Sequence, residues 1–585
     1  MGVNTEQDVS GLPRRSSGGC RAGVRSAGAM GIVVLLAGVL LPLDGAGDSE
    51  FDSARPRTAS EAGPATVGGS RTPLAALWPF RRSPVRMPAL SREVARVADG
   101  SGNTGGLIQA AAAAWGRVGC ACAATGTVTV VNATSLGAVG DGRADDSGAI
   151  AAAIENATGP TVVRLPAGTY RLGRSLFLKS GLVLRGDGAS QTHLVFEGTN
   201  TGGRCIGIAR WDSDQNCPRA ALAAGVQQGS RQVRLAAVPD FAPGDIVEIE
   251  QENDPAWKLN EAWQQTVEGQ IVRVSGVDAR GGLLQLDRPL RTSFIMERRP
   301  TLRKLVVIQD AGVEDLSVRK ADEVEGYSIE LKHAVRCWVR GVESEMTFKG
   351  HVNLERCFEA EVRDSCFSGS YRFGGGGQGY GVVCGRHTSD CLVENNVFST
   401  LRHSLIVGSG ANGNVFGYNF STARAGRSQW GDLIGDLSVH GNYVFLNLFE
   451  GNVVDEAGVP DWYYPAGPEN TLYRNRIAGK GLAVDVASDQ QIICGNELAT
   501  GGVLRVRSGV RGTISCANTP EGGLPARRTT LPASLYRINR PSFLSDADPE
   551  TSWPCIGPGR ASSAGKIPAE HRFTAGRCIP ESARN

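Results

Sequence analysis

Only seven histidines occur in the 585 residues, and two of them stand where they can do chemistry together. His403 lies 16 residues before Asn419, and Tyr380 lies the same 16 before Asn396. Equal offsets from an equivalent position put Tyr380, Arg402 and His403 on one patch, with His440 on the following turn of chain. An imidazole titrates near neutrality and can take a carbon-bound proton. A guanidinium keeps its charge and grips a carboxylate through two parallel hydrogen bonds, and a phenol can return a proton to a departing oxygen. Those are the parts that β-elimination at a uronate requires. Lys349 and His351 extend the same strip. The plainer reading is a hydrogen-bonded rung or turn residue for each histidine, and a surface ion pair for Arg402.

Acidic residues offer a competing chemistry. Asp432, Asp436, Glu450, Asp455 and Asp461 fall close together in sequence. Paired carboxylates can hydrolyse a glycosidic bond, while Asp432, Asp436 and Glu450 are the expected ligands if Ca²⁺ is a cofactor. Arg372, Trp430, Asp461, Trp462 and Tyr463 sit in polar, aromatic stretches suited to holding a sugar polymer, although loops are polar in any case.

The elements that must position these groups are visible as an internal repeat. Eight short segments opening on Val313, Val339, Val362, Val393, Phe416, Val444, Leu472 and Ile493 share one register. The last five carry asparagine at their fourth place: Asn396, Asn419, Asn447, Asn475 and Asn496. Short strands recurring at this period predict stacked coils, and stacked asparagines can pass amide hydrogen bonds from coil to coil. Irregular spacing puts the longest loops at 362–393, 416–444 and 444–472. The expected fold is all-β: a right-handed, single-stranded parallel β-helix with an N-terminal capping helix and a small antiparallel insertion.

A net charge of +2 gives no electrostatic case for nucleic acid. Residues 1–46 read as a secretory signal, with arginines before a short apolar run broken by Pro42 and small residues after it. That run is short for a stable membrane anchor, so a secreted protein is expected. Residues 47–125 read as a linker, probable disorder being relieved only by short helices at 91–97 and 107–115. The β-helix domain is expected over 126–515, with the insertion at 205–303, and a C-terminal extension over 516–585. The 14 cysteines suit export, with Cys205/Cys217, Cys384/Cys391 and Cys555/Cys578 as plausible local pairs. Oligomeric state is not legible; no C-terminal heptads support a trimer.

Three motifs then occur in order: LGAVGDGRADDSGAIAAAI at 136–154, TVVRLPAGTYRL at 161–172 and LVLRGDG at 182–188. Asp145, Asp146 or Ser147 can cap the helix in the first. The set resembles the opening of the pectate-lyase-like superfamily of right-handed β-helices. The resemblance implies a helix that caps one end and is nearly silent on activity, since lyases, hydrolases, epimerases and phage tailspikes share it. The hydrolase signatures of the polygalacturonases and the calcium-site aspartates of the pectate lyases are not recognisable. Residues 402–421, 440–452 and 470–476 are similar to an uncharacterised bacterial branch of the superfamily. There an Asp-x-x-His-Gly stretch precedes the Asn-Thr-x-x-Arg-Asn-Arg segment; this chain has DWYYPAG at 461–467 instead, so a third catalytic group is missing. The expected function is a lyase acting on an acidic polysaccharide, with a glycoside hydrolase or a non-catalytic binding solenoid as alternatives.

Overall fold

The computed structural model describes residues 89–580 apart from 100, 102–103, 121–127, 199–202, 212–216, 238–239, 258–263, 279, 281, 375–376, 426–434, 460–464, 486, 521–529, 548–551 and 559–564. The expected signal segment, residues 1–46, lies outside the described residues. Among the described residues no helix is long and apolar enough to cross a membrane.

The architecture is the parallel β-helix that the repeat predicts. One sheet stacks 12 strands, from Thr129–Asn132 to Ile514–Cys516, and its recorded pairings are parallel. A 20-stranded sheet carries the other two faces of the coil. Each turn of chain therefore visits three ladders, exemplified by Leu392–Glu394, Val397–Ser399 and His403–Gly408. The stack ends at Thr519–Pro520 on the second ladder. Valine, isoleucine, leucine and phenylalanine from all three ladders fill the interior as one continuous core. The capping helix runs Ser147–Asn156. Its N-cap, Asp146, spends its carboxylate on the N–H groups of Val139 and Gly140 rather than on the helix.

The corner between the first and second ladders explains the asparagines. It is made by one residue in the left-handed conformation, such as Asn395, Tyr418, Arg474 or Ala517, and the next residue then points inward. Backbone pairing is interrupted there, so an inward N–H needs another acceptor. Asn396 supplies it to Ser365, Asn419 to Asn396, Asn452 to Asn419, Asn475 to Asn452, Asn496 to Asn475 and Asn518 to Asn496. Asn447 does not belong to this ladder. It joins Asn414, Asn470 and Gln491 in a second one, at the corner leading into the first face. The true spacings are thus 23, 33, 23, 21 and 22 residues. The longest turn runs between Asn419 and Asn452, and the expected swelling over 444–472 disappears.

The antiparallel insertion is a closed barrel of strands running from Arg219–Ala224 to Thr301–Lys304. Ile206–Ala209 lies outside it, pairing in parallel with Leu176 and Ile329 as an ordinary third-ladder strand. The barrel is seated on middle coils, not on the early ones. Arg303, Arg356 and His387 surround the buried carboxylate of Glu248, and Arg288 joins Glu359 to Asp390. The two short helices expected before the coil are present as Ala89–Asp99 and Thr104–Trp115. They are not a free linker: Trp115 donates its indole N–H to the Leu446 carbonyl, and Ser91 donates to Glu469. Residues after 530 cover the neighbouring strip, where Arg537 pairs with Glu394 and Arg572 with Asn395. Disulfides join Cys366 to Cys578 and Cys494 to Cys516. The expected local pairs are overturned, since Cys205, Cys384, Cys391 and Cys555 are free thiols and Cys578 is bonded to Cys366.

Candidate functional site

Three of the four residues expected to carry the chemistry come together on the third ladder, and His440 stands on the next coil in register with Gly408, five residues along the strand from His403. Tyr380 opens the strand Tyr380–Cys384 and stands in direct register with His403. Their rings lie 5.3 Å apart, and the Arg402 guanidinium lies 6.0 Å from the Tyr380 ring. Gly350 precedes Tyr380 in the stack, and a Cβ there would press at 3.1 Å on the Tyr327 ring and the Tyr380 Cβ. Glycine at 350 is what lets the aromatic line close up.

His403 is held by one bond. Its Nδ1–H donates to the carbonyl oxygen of Gly435 at 2.7 Å, which leaves Nε2 with the lone pair. Nε2 is buried and has no hydrogen-bond partner among the described residues. A Cβ at position 435 would lie 2.0 Å from the Glu456 carbonyl oxygen, so the carbonyl that orients His403 comes from a position only glycine can fill. Burial first, then the charge of Arg402, hold His403 well below the usual imidazole range. The same two causes lower His440 to about 4. Arg402 and His440 are half-buried, whereas Tyr380 and His403 are only 1 % exposed. The expectation of one exposed patch is corrected accordingly: two members face outward and two lie beneath them. The Tyr380 hydroxyl accepts the Gly377 N–H at 3.1 Å.

The flanking expectations fare differently. Lys349 is buried in an ion pair with Glu325 at 2.8 Å, so it does not present its charge on the strip. His351 points into the core, bonded to Ser344 Oγ at 2.8 Å and stacked near Phe367 at 5.7 Å. Burial lowers it to about 3, and it is a packing residue, not a surface one. Arg372 is exposed and paired with Glu323. Trp430, Asp432, Asp461, Trp462 and Tyr463 lie outside the described residues.

Of the expected calcium ligands, Asp432 lies outside the described residues, and Asp436 and Glu450 stand on different sides of the coil. Both carboxylate oxygens of buried Asp436 accept backbone N–H groups, from Asp455 and Glu456. Glu450 lies on the first ladder, across the coil, beneath the N–H of Leu535. Burial raises Asp436 to about 6 and Glu450 to about 7. Each is accounted for by local structure, and the two cannot share an ion. Among the described residues Glu248, Glu250 and His387 also bring ligand atoms close. Arg303, Arg356 and Arg386 already neutralise that group.

Sequence reasoning missed the supports. Asp436 accepts the N–H groups of both Ser404 and Leu405 with its main-chain oxygen, and Ser404 bonds Ser421 at 2.8 Å beside it. Arg424, ion-paired with Glu456 at 3.3 Å, adds to the positive field on His403. Their signal in the sequence was only proximity to the long turn after Asn419.

Residues 130–210 match the family model described as Rhamnogalacturonase A/epimerase, pectate lyase-like. Over 72 residues the chain is 46% identical to mannuronan C5-epimerase AlgE1 of Azotobacter vinelandii, a stretch covering 11% of this chain and 5% of that protein. The tailspike gp61 of Pseudomonas phage phi297 shares 15% identity at a TM-score of 0.48, over 66% of this chain and 73% of its own. The Gp54 tailspike of Acinetobacter baumannii bacteriophage AP22, solved with a capsular saccharide, shares 10% identity at a TM-score of 0.43, over 67% of this chain and 69% of its own.

Proposed function

We propose that this β-helix, pectate-lyase-like in its opening coils, acts on an acidic, uronate-containing polysaccharide as a lyase, at the Tyr380–Arg402–His403–His440 site. The observation that carries the reading is geometric: the Arg402 guanidinium lies over the Tyr380 ring, which packs on the His403 ring, and its charge adds to the burial that lowers both imidazoles. A uronate carboxylate paired with Arg402 offsets that charge, so substrate docking relieves the part of the depression that Arg402 causes, while the part due to burial stays. His440, the outward one of the pair, takes the C5 proton. Arg402 neutralises the carboxylate as it gains charge in the transition state. The electron pair expels the C4 oxygen, to which Tyr380 supplies a proton. His403, fixed through Gly435, sets Tyr380 and Arg402 in place from beneath. No step is routed through calcium, because Asp436 and Glu450, the two described residues of the proposed set, do not meet.

The test is incubation with pectate, alginate and glycosaminoglycans. Unsaturated uronate ends are followed by ultraviolet absorbance beside reducing-end release. Elimination gives both signals. Reducing ends alone mean hydrolysis, and retained binding without either means a non-catalytic solenoid. Solvent deuterium at C5 without cleavage would reassign the reaction to epimerisation, the activity in the name of the 46% identical relative. A chelator arm in the same assay decides any metal requirement.

A further inference from the structure

A second cluster of reactive groups stands on the second ladder, away from the site above. Thr169, His193, Ser317 and Glu343 occupy equivalent positions on successive coils, each in direct register with the next. All four are half-exposed, and none of them points into the core. A parallel ladder brings equivalent side chains to within about 5 Å, and here Ser317 Oγ lies 2.8 Å from His193 Nδ1. Ser317 thus sits between an imidazole and a carboxylate. Arg319, two residues further along the same strand face, is exposed.

We propose that His193 and Ser317 form an acyl-transfer dyad that hydrolyses O-acyl esters carried by an extended polymer. The hydroxyl alone is a weak nucleophile and needs an adjacent base; the Nε2–H tautomer of His193 presents Nδ1 as that base. Ser317 Oγ attacks the acyl carbon while its proton passes to Nδ1. The tetrahedral oxyanion forms beside the Arg319 guanidinium, and Glu343 offsets the charge of the imidazolium. The imidazolium returns its proton to the leaving alkoxide as the ester C–O bond breaks. Water then attacks the acyl-serine, His193 takes its proton, and Ser317 is regenerated. The ladder face is open and flat, so it can meet an ester projecting from a long chain lying along the coils.

The full-length chain is treated with phenylmethylsulfonyl fluoride and mapped by peptide mass, and p-nitrophenyl acetate hydrolysis is followed in parallel. The sulfonyl adduct is expected on Ser317. H193A and H193Q should each slow both reactions by about 10²-fold or more, and S317A should remove the adduct, all three keeping the wild-type melting temperature. Absence of an adduct on Ser317, or an unchanged rate in the two His193 variants, overturns the proposal.

Discussion

Arg402 adds to the burial that lowers two imidazoles, and its removal has a signature beyond loss of rate. Uronate elimination should fall by about 10²-fold or more in R402A and in H440A, measured by absorbance of unsaturated ends. His440 is depressed to about 4, so the acid limb of the wild-type pH–rate profile should lie near there. R402Q should move that limb upward by only part of the distance to ordinary imidazole values, because the repulsion is gone but the burial, its larger cause, remains. Two buried residues give opposite stability signs. His351 is lowered to about 3 by burial, so its contribution is present above about 6.5 and is lost as pH falls through 3. H351Q should show less change in melting temperature between pH 7 and pH 4 than the parent. Glu450 is raised to about 7, so its contribution is present below about 4.5 and is lost as pH rises through 7. E450Q should melt higher than the parent at pH 8 and alike at pH 5. At this scale the sequence showed which residues stand level, since register follows from counting. It did not show depth. Tyr380 and His403 share a level with their expected neighbours but lie under the surface, because a shared level does not fix which side of a strand faces solvent.

The asparagine corners are the element on which the coils depend. Asn452 accepts the N–H of Asn419 and also bonds Asn475 and the Phe416 carbonyl. Its replacement by alanine strands a buried N–H, at a cost of about 1–3 kcal/mol. N452A should therefore lower the denaturation midpoint clearly. N518A, at the half-buried end of the ladder, should lower it less. The ladder was legible in the chain, yet one member was misassigned. A large apolar residue three places before asparagine occurs at Val444 with Asn447 and again at Phe449 with Asn452. Both corners answer the same need for an inward acceptor, so the pattern alone cannot tell one from the other. Once Asn452 replaces Asn447, the longest turn falls directly before the strand that carries His440.

Across the whole described molecule, coverage of the coil was the least legible property. The N-terminal helices and the segment after residue 530 bury the outer apolar and acidic strips of the first ladder. Composition offered no sign of this, because both segments are rich in small and polar residues, and their partners lie far away in sequence. Cysteine pairing failed for a related reason. Proximity in sequence favoured Cys555 with Cys578, whereas the coil carries Cys366 to Cys578 across 212 residues. C578S should make the segment after residue 530 markedly more sensitive to limited proteolysis while the coils stay resistant, as read by fragment mass. The corners also make length an editable property of the rod. Asn475 and Asn496 meet their neighbours through the same pair of bonds on either side. A tandem copy of residues 472–492 can slot in as a spacer, extending the axis by about 4.8 Å and leaving both ends chemically unaware of the change.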